Sequence, residues 1–200
     1  MNRLLLFCVS LFCAASMLNA KVEPAPIFAD NMVLQQESDA ALWGKATPGA
    51  KVTITGSWSK SKVTVTAGAD GKWFARIATP KAGGPYELTF NDGDKLILKN
   101  VLIGEVWICS GQSNMEMQMK GYGSQPVKGS TDMIMTAKPS VPIRSCNIKR
   151  VLALDPVEEC DATWYEHTPV GVREASATAY MFARKLQEVL EIPVGIINVS

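Results

Sequence analysis

Histidine is nearly absent from this chain: His167 stands alone among 200 residues. Cysteine is scarce as well, with five residues, and two of these, Cys8 and Cys13, sit in the apolar N-terminal run. No C-x-x-C or H-E-x-x-H spacing occurs, so the usual zinc ligand sets are missing and no metal site is expected. Neither sign of charge is in excess, since 20 Lys and Arg face 19 Asp and Glu. A chain this balanced has no basic stripe to steer it toward nucleic acid or anionic lipid. Long apolar runs are missing too. The stretch Leu4 to Leu18 is too short for a membrane span of roughly 20 residues.

That stretch fits another purpose. Arg3 supplies a positive start, Leu4 to Leu18 an apolar centre, and Leu18-Asn19-Ala20 a small-residue cleavage site. Residues 1–20 are therefore expected to be a signal peptide, with the mature protein periplasmic or extracellular. Cys8 and Cys13 lie inside the apolar segment and not at its end, which argues against a lipoprotein. Removing Arg3 leaves the two charge signs equal, as suits an uncharged or sugar-like ligand among many others. The remaining cysteines are Cys109, Cys146 and Cys160. An exported chain can carry disulfides, and Cys146 with Cys160 is the pair outside the apolar strand that ends at Cys109. Sequence leaves open whether they meet. Cys109 reads as an apolar filler.

Residues 21–100 read as an antiparallel β-sandwich. Lys51 to Thr55 and Lys62 to Thr66 are β-branched and alternate with period two, as do Tyr86, Leu88 and Phe90. Turn punctuation recurs at Thr47-Pro48-Gly49, Ala69-Asp70-Gly71, Gly83-Gly84-Pro85 and Asn91-Asp92-Gly93. Trp43, Trp58 and Trp73 could stack on sugar rings. Trp43 and Trp73 flank alternating apolar positions, so they are assigned to the core.

The pattern changes at Val101. Val101 to Cys109 reads as a largely buried strand, and after Ser110-Gly111 a helix is expected to begin. Between Gly121 and Val172 periodic signals are weak, and short strands are expected near Ile143 to Val151 and Thr163 to Tyr165. A helix over Ala175 to Leu190 carries an apolar stripe of Ala179, Phe182, Ala183, Leu186, Val189 and Leu190. Pro193 ends it, and Val194 to Val199 reads as the next parallel strand. The fold class is therefore α/β.

Ser113 lies on the strand-to-helix turn, at the sheet edge where open α/β folds place ligands. Its backbone N–H would sit near the positive end of a helix, aimed at a developing oxyanion. Ser113 and Glu116 also spell S-x-x-E, a capping box that merely starts a helix. The second glycine of G-x-S-x-G is missing, so the nucleophile-elbow pattern does not apply. The local pattern leaves both readings open.

Three ordered blocks add a resemblance. Gly104-Glu105-Val106-Trp107 followed by Gly111-Gln112-Ser113-Asn114-Met115-Glu116-Met117 resembles the first block of the SGNH (GDSL-type) hydrolases, in the form found in sialate O-acetylesterases. Pro26 to Gln36 resembles that family's N-terminal signature. Ser176 to Leu186, followed by Ile192 to Asn198, resembles its first crossover helix and second strand. The resemblance implies that residues 101–200 open an SGNH-type three-layer α/β/α hydrolase domain, truncated at residue 200. The family's oxyanion glycine, asparagine block and Asp-x-x-His would lie further on.

The implied chemistry is acyl transfer. Ser113 would attack the acetyl carbonyl of an O-acetylated sugar, its own N–H would donate to the oxyanion, and water would release acetate. Gly111 fits as backbone allowance for a tight turn, and Gln112 and Asn114 receive no role. No metal or organic cofactor is implied. A serine hydroxyl needs a base, and His167, with Glu166, Glu174 or Asp161 as orienting carboxylates, is the candidate within the chain. The family's histidine belongs to a later motif, so His167 is read as a surface or substrate-loop residue. Two rivals remain: an esterase of the same fold acting on acetylated xylan, and a non-catalytic carbohydrate-binding protein in which Ser113 is a cap.

Overall fold

A computed structural model describes residues 21–155, 157 and 159–200. The expected signal peptide, 1–20, lies outside the described residues. Eight strands come first: β1 (Glu23–Pro24), β2 (Val33–Gln35), β3 (Asp39–Lys45), β4 (Lys51–Gly56), β5 (Val63–Thr66), β6 (Lys72–Ala78), β7 (Gly83–Asn91) and β8 (Lys95–Ser110). Among the described residues, none before Ser113 is helical. Strands β1, β3 and β6 form one antiparallel sheet, while β5, β4, β7 and the first part of β8 form part of a larger one. Period-two patterning does what it should: in β6, Trp73, Ala75 and Ile77 are buried and Lys72, Phe74 and Arg76 exposed. The inner faces meet around Leu42, Val52, Ile54, Trp73, Leu88 and Phe90, each large side chain contributing about 1.5–3 kcal/mol. The core assignment holds for Trp73, whose Nε1–H donates to the Lys45 carbonyl at 3.0 Å. It fails for Trp43. Leu42 takes the inward position, so its neighbour must point outward, and Trp43 is 39% exposed.

Seven elements follow: α1 (Ser113–Glu116), α2 (Ser130–Met135), β9 (Ile143–Ile148), β10 (Ala162–Glu166), α3 (Pro169–Glu174), α4 (Ala177–Leu190) and β11 (Val194–Val199). The large sheet runs β10-β9-β11-β8-β7-β4-β5, with β2 also paired to β8. The last part of β8 pairs in parallel with β11, and β11 in parallel with β9. The anticipated division at 100/101 therefore falls inside one continuous strand. Up to Ile103, β8 is antiparallel to β7; Leu102 to Gly104 also run parallel to β2 on the other side; Glu105 to Ser110 run parallel to β11.

This parallel sheet has two different coats. Ile143, Val194, Ile196 and Cys109 face the helices and pack with Val172, Ala179, Tyr180 and Ala183. On the other face Cys146 and Trp164 join the core that the N-terminal strands form. Trp164 donates to the Ile27 carbonyl at 2.8 Å, and a Cβ at Gly195 would meet Val33 Cβ at 2.8 Å. The N-terminal segment thus covers part of this face.

Two helix expectations are corrected. The predicted start at Ala175 moves to Ala177, because Ser176 is the cap, its hydroxyl accepting from Ala179 N–H at 3.4 Å. Thr168 and Pro169 start a separate short helix, α3, just before it. The apolar stripe is also rotated. Ala177, Ala179, Tyr180 and Ala183 are buried, whereas Phe182, Val189 and Leu190 are exposed. A tyrosine on the polar flank has taken the inward place.

Gly104 is where β8 and β11 come closest at the strand change. A Cβ there would sit 2.0 Å from the Pro193 carbonyl oxygen, while Glu105 N–H donates to the same oxygen at 2.9 Å. Gly104→Ala is expected to cost about 3 kcal/mol or more, through overpacking of rigid backbone. Urea denaturation followed by fluorescence checks this; an unchanged midpoint refutes it.

Candidate active site

Strand β8 ends at Ser110, and Gly111 and Gln112 turn the chain into the single helical turn α1. The long helix expected after Gly111 is not formed: Met117, with ψ of 115°, leaves helical geometry at once. Gln112 is the cap residue and makes no side-chain capping bond. Ser113 is therefore the first helical residue, and the capping-box reading fails on geometry. Its side chain is exposed, and among the described residues no group hydrogen-bonds its hydroxyl. The first bonds of the turn run from Met115 and Glu116 N–H to the Gln112 carbonyl. Among the described residues the Ser113 N–H thus has no acceptor, as expected of a first-turn amide. Gly111 has no positive φ, so the tight-turn argument for it is corrected: a Cβ there would stand 3.1 Å from Met115 Cβ.

One helical turn has little intrinsic stability, and this one is held from outside. Thr178 Oγ1–H donates to the Asn114 carbonyl at 3.0 Å, Ala177 N–H to Met117 O at 2.7 Å, and Met119 N–H to Ala175 O at 2.9 Å. Ser176 lies 3.4 Å from Met115 Sδ. The start of α4 clamps the turn that carries Ser113. From outside, Arg150 pairs with Glu116 at 2.9 Å and Tyr122 OH donates to the Glu116 carbonyl at 2.8 Å. Sequence reading missed Thr178, Arg150 and Tyr122; their partners are distant in sequence, and no local pattern announces them.

His167 is elsewhere. Glu166 pairs with Arg144, Arg144 with Gly195, and Gly195 with Val106. His167 therefore stands near the level of Glu105, five residues before Ser110, or roughly 16 Å along the strands at about 3.3 Å each. A general base needs about 3 Å. The expectation of a surface or substrate-loop histidine also fails, because His167 is 7% exposed. Its Nε2 meets Tyr180 OH at 2.9 Å, its Nδ1 meets the Lys138 carbonyl at 3.0 Å, and its ring stacks on Tyr180. The candidate carboxylates are dispersed as well. Glu166 pairs with Arg144 at 3.0 Å, Glu174 with Lys120 at 2.6 Å and Asp161 with Lys149 at 3.4 Å. None of these contacts joins a carboxylate to His167. Cys109, Cys146 and Cys160 are free thiols. Burial raises the Cys109 thiol above its usual range and pushes Cys146 up to about 12, which makes both poor nucleophiles. Among the described residues no group of three or more His, Cys, Asp or Glu could hold a metal.

Burial also lowers the pKa of His167, against the raising effect of its backbone hydrogen bonds. The folded value lies below the unfolded one, so on acidification the unfolded chain takes the proton first. Stability from this site is intact above the unfolded value of about 6.5 and is lost as pH falls below it toward the folded value. The urea midpoint should thus fall between pH 7.5 and 5.5 by more in the native protein than in His167→Gln. Equal falls in both would refute this.

A serine exposed at the carboxyl edge of the parallel part of a mixed sheet, on a turn clamped by the following crossover helix, places the chain among α/β proteins with a sheet-edge hydroxyl. No protein-family model matches it. Mouse sialate O-acetylesterase is 35% identical over 86% of the chain, the rat enzyme 33% and the human enzyme 32% over the same share. The chain spans about a third of their length, 35% of the mouse protein. A carbohydrate acetylesterase from Xanthomonas citri superposes with a TM-score of 0.81 at 28% identity, covering 89% of this chain and 40% of its own. Over the segment it spans, the chain is a relative of the sialate O-acetylesterases. Among the described residues no helix is long and apolar enough to cross a membrane.

Proposed function

We propose that the protein is a serine esterase that removes O-acetyl groups from sialic acid or a related acetylated sugar through an acyl-enzyme on Ser113. The carrying observation is the Ser113 turn: an exposed, uncapped hydroxyl and an N–H without a protein acceptor, fixed together by the start of α4. The hydroxyl attacks the acetyl carbonyl and the Ser113 N–H donates to the oxyanion, where one such donor is typically worth 10²–10³ in rate. The likeness to enzymes named for sialate and for carbohydrate acetyl esters supports the substrate class. Acetylated xylan is the alternative sugar. In this reading residues 21–100 are a β-sandwich module and 101–200 the first part of an SGNH-type hydrolase domain, and the base comes from outside these 200 residues, since His167 is committed to Tyr180 and Lys138.

In the full-length protein, Ser113→Ala is expected to lower hydrolysis of an aryl acetate by at least about 10³-fold and to abolish labelling by a fluorophosphonate. The 200-residue polypeptide alone should hydrolyse the same ester no faster than background, with His167→Ala making no difference. Near-native turnover in Ser113→Ala removes the nucleophile assignment; turnover that depends on His167 removes the assignment of the base.

Residues 1–20 are proposed to direct export to the periplasm or beyond. The secreted or periplasmic product should begin at Lys21 by N-terminal sequencing, and recovery of an uncleaved chain from the cytoplasm would contradict this.

A further inference from the structure

We propose that the outer face of the β3–β6 pair is a glycan-binding platform, formed by Trp43 and Phe74, that takes the pyranose rings of a carbohydrate chain away from Ser113. Trp43 and Phe74 are directly opposed across the two strands, and they are 39% and 56% exposed. The wet face of an antiparallel sheet ordinarily carries polar side chains, so two adjacent exposed rings are the feature to be explained.

Both rings are held in place. Phe28 meets Trp43 edge-on, with centroids 4.7 Å apart at 79°. The Arg76 guanidinium lies 5.6 Å from the Phe74 ring centre and is itself tied to the Asp39 carbonyl at 3.1 Å. Rigid aromatic surfaces lose little entropy on binding. Beside them runs a groove of about 210 Å³ whose charged border is Lys45, Lys72 and Glu159, with Lys45 and Glu159 joined at 2.5 Å.

That chemistry selects the occupant. A pyranose offers an apolar C–H face for the rings, and hydroxyls at its rim that both donate and accept, matching ammonium and carboxylate together. Glu159 also borders a second groove that reaches Gly111, two residues from Ser113. The kind of glycan rests on the acetyl-sugar reading above; the platform itself does not need the serine to react.

The test is a titration of the full-length protein with xylohexaose and with sialyllactose, neither carrying an ester, followed by calorimetry and tryptophan fluorescence. Saturable binding of at least one is expected, weakened about tenfold in Trp43→Ala and in Phe74→Ser and retained in Trp43→Phe. Phe74, the more exposed ring, serves if Trp43→Ala fails to fold. Binding that neither substitution weakens, or no saturable binding of either sugar, overturns the proposal. Failure of Ser113 as the nucleophile would show in hydrolysis and leave the titration result standing.

Discussion

Everything in this structure hangs on β8 changing partners without breaking. Its first part belongs to the antiparallel sheet, its last part to the parallel one, and the exchange happens within a few residues of Gly104. Backbone groups on one side of a strand must find new acceptors when a neighbour leaves. Here Gln35 supplies one: its Oε1 accepts the Val106 N–H at 2.9 Å. The Glu105 carboxylate then gathers Gln35 Nε2 at 3.2 Å and Gln36 Nε2 at 2.9 Å. The Gln35-Gln36 pair and the Gly104-Glu105 pair are thus two halves of one joint. Because Ser113 is only a few residues past that strand, the joint also sets where the hydroxyl lies.

A second buried polar cluster binds the same two regions together. Arg144 is 4% exposed and pairs with Glu166, whose Oε1 also accepts from Asn100 Nδ2 at 2.8 Å. Asn100 donates in turn to Asn31 Oδ1 at 2.7 Å. Burial pulls the Arg144 pKa down while Glu166 opposes it. Removing one partner of such a pair costs far more than the pair contributes, because the other is left charged and dry. Nε and Nη1 of Arg144 find no acceptor among the described residues, so this cluster fixes geometry at some expense in stability. His167 and Tyr180 lie alongside, so this level of the sheet is tied together by polar contacts.

The strands and the serine turn were legible because their signals are local. Alternation in Lys51 to Thr55 and the apolar run to Cys109 each encode a strand within a few residues, and Val194 to Val199 was read with its true ends. Trp43 was misassigned because alternation gives two faces but not their orientation; Leu42 decides that by fitting the core between the two sheets. The α4 stripe was misplaced for a similar reason. Tyr180 counts as amphipathic in a one-dimensional pattern, yet the His167 imidazole offers its hydroxyl a partner and makes burial favourable.

Read by itself, the amino-acid sequence carried the alternating strands, the apolar strand that ends beside Ser110, the turn at Ser113 and the likeness to sialate O-acetylesterases. These depend on periodicity, caps and short motifs, which act over one or two turns of chain. Only the tertiary structure decided that β8 joins the antiparallel and parallel parts of one sheet, that His167 is bound to Tyr180 far from Ser113, and that Trp43 and Phe74 share a wet face. Each of those depends on which surfaces meet across tens of residues, and burial energy is settled by that meeting and by nothing in the local chain.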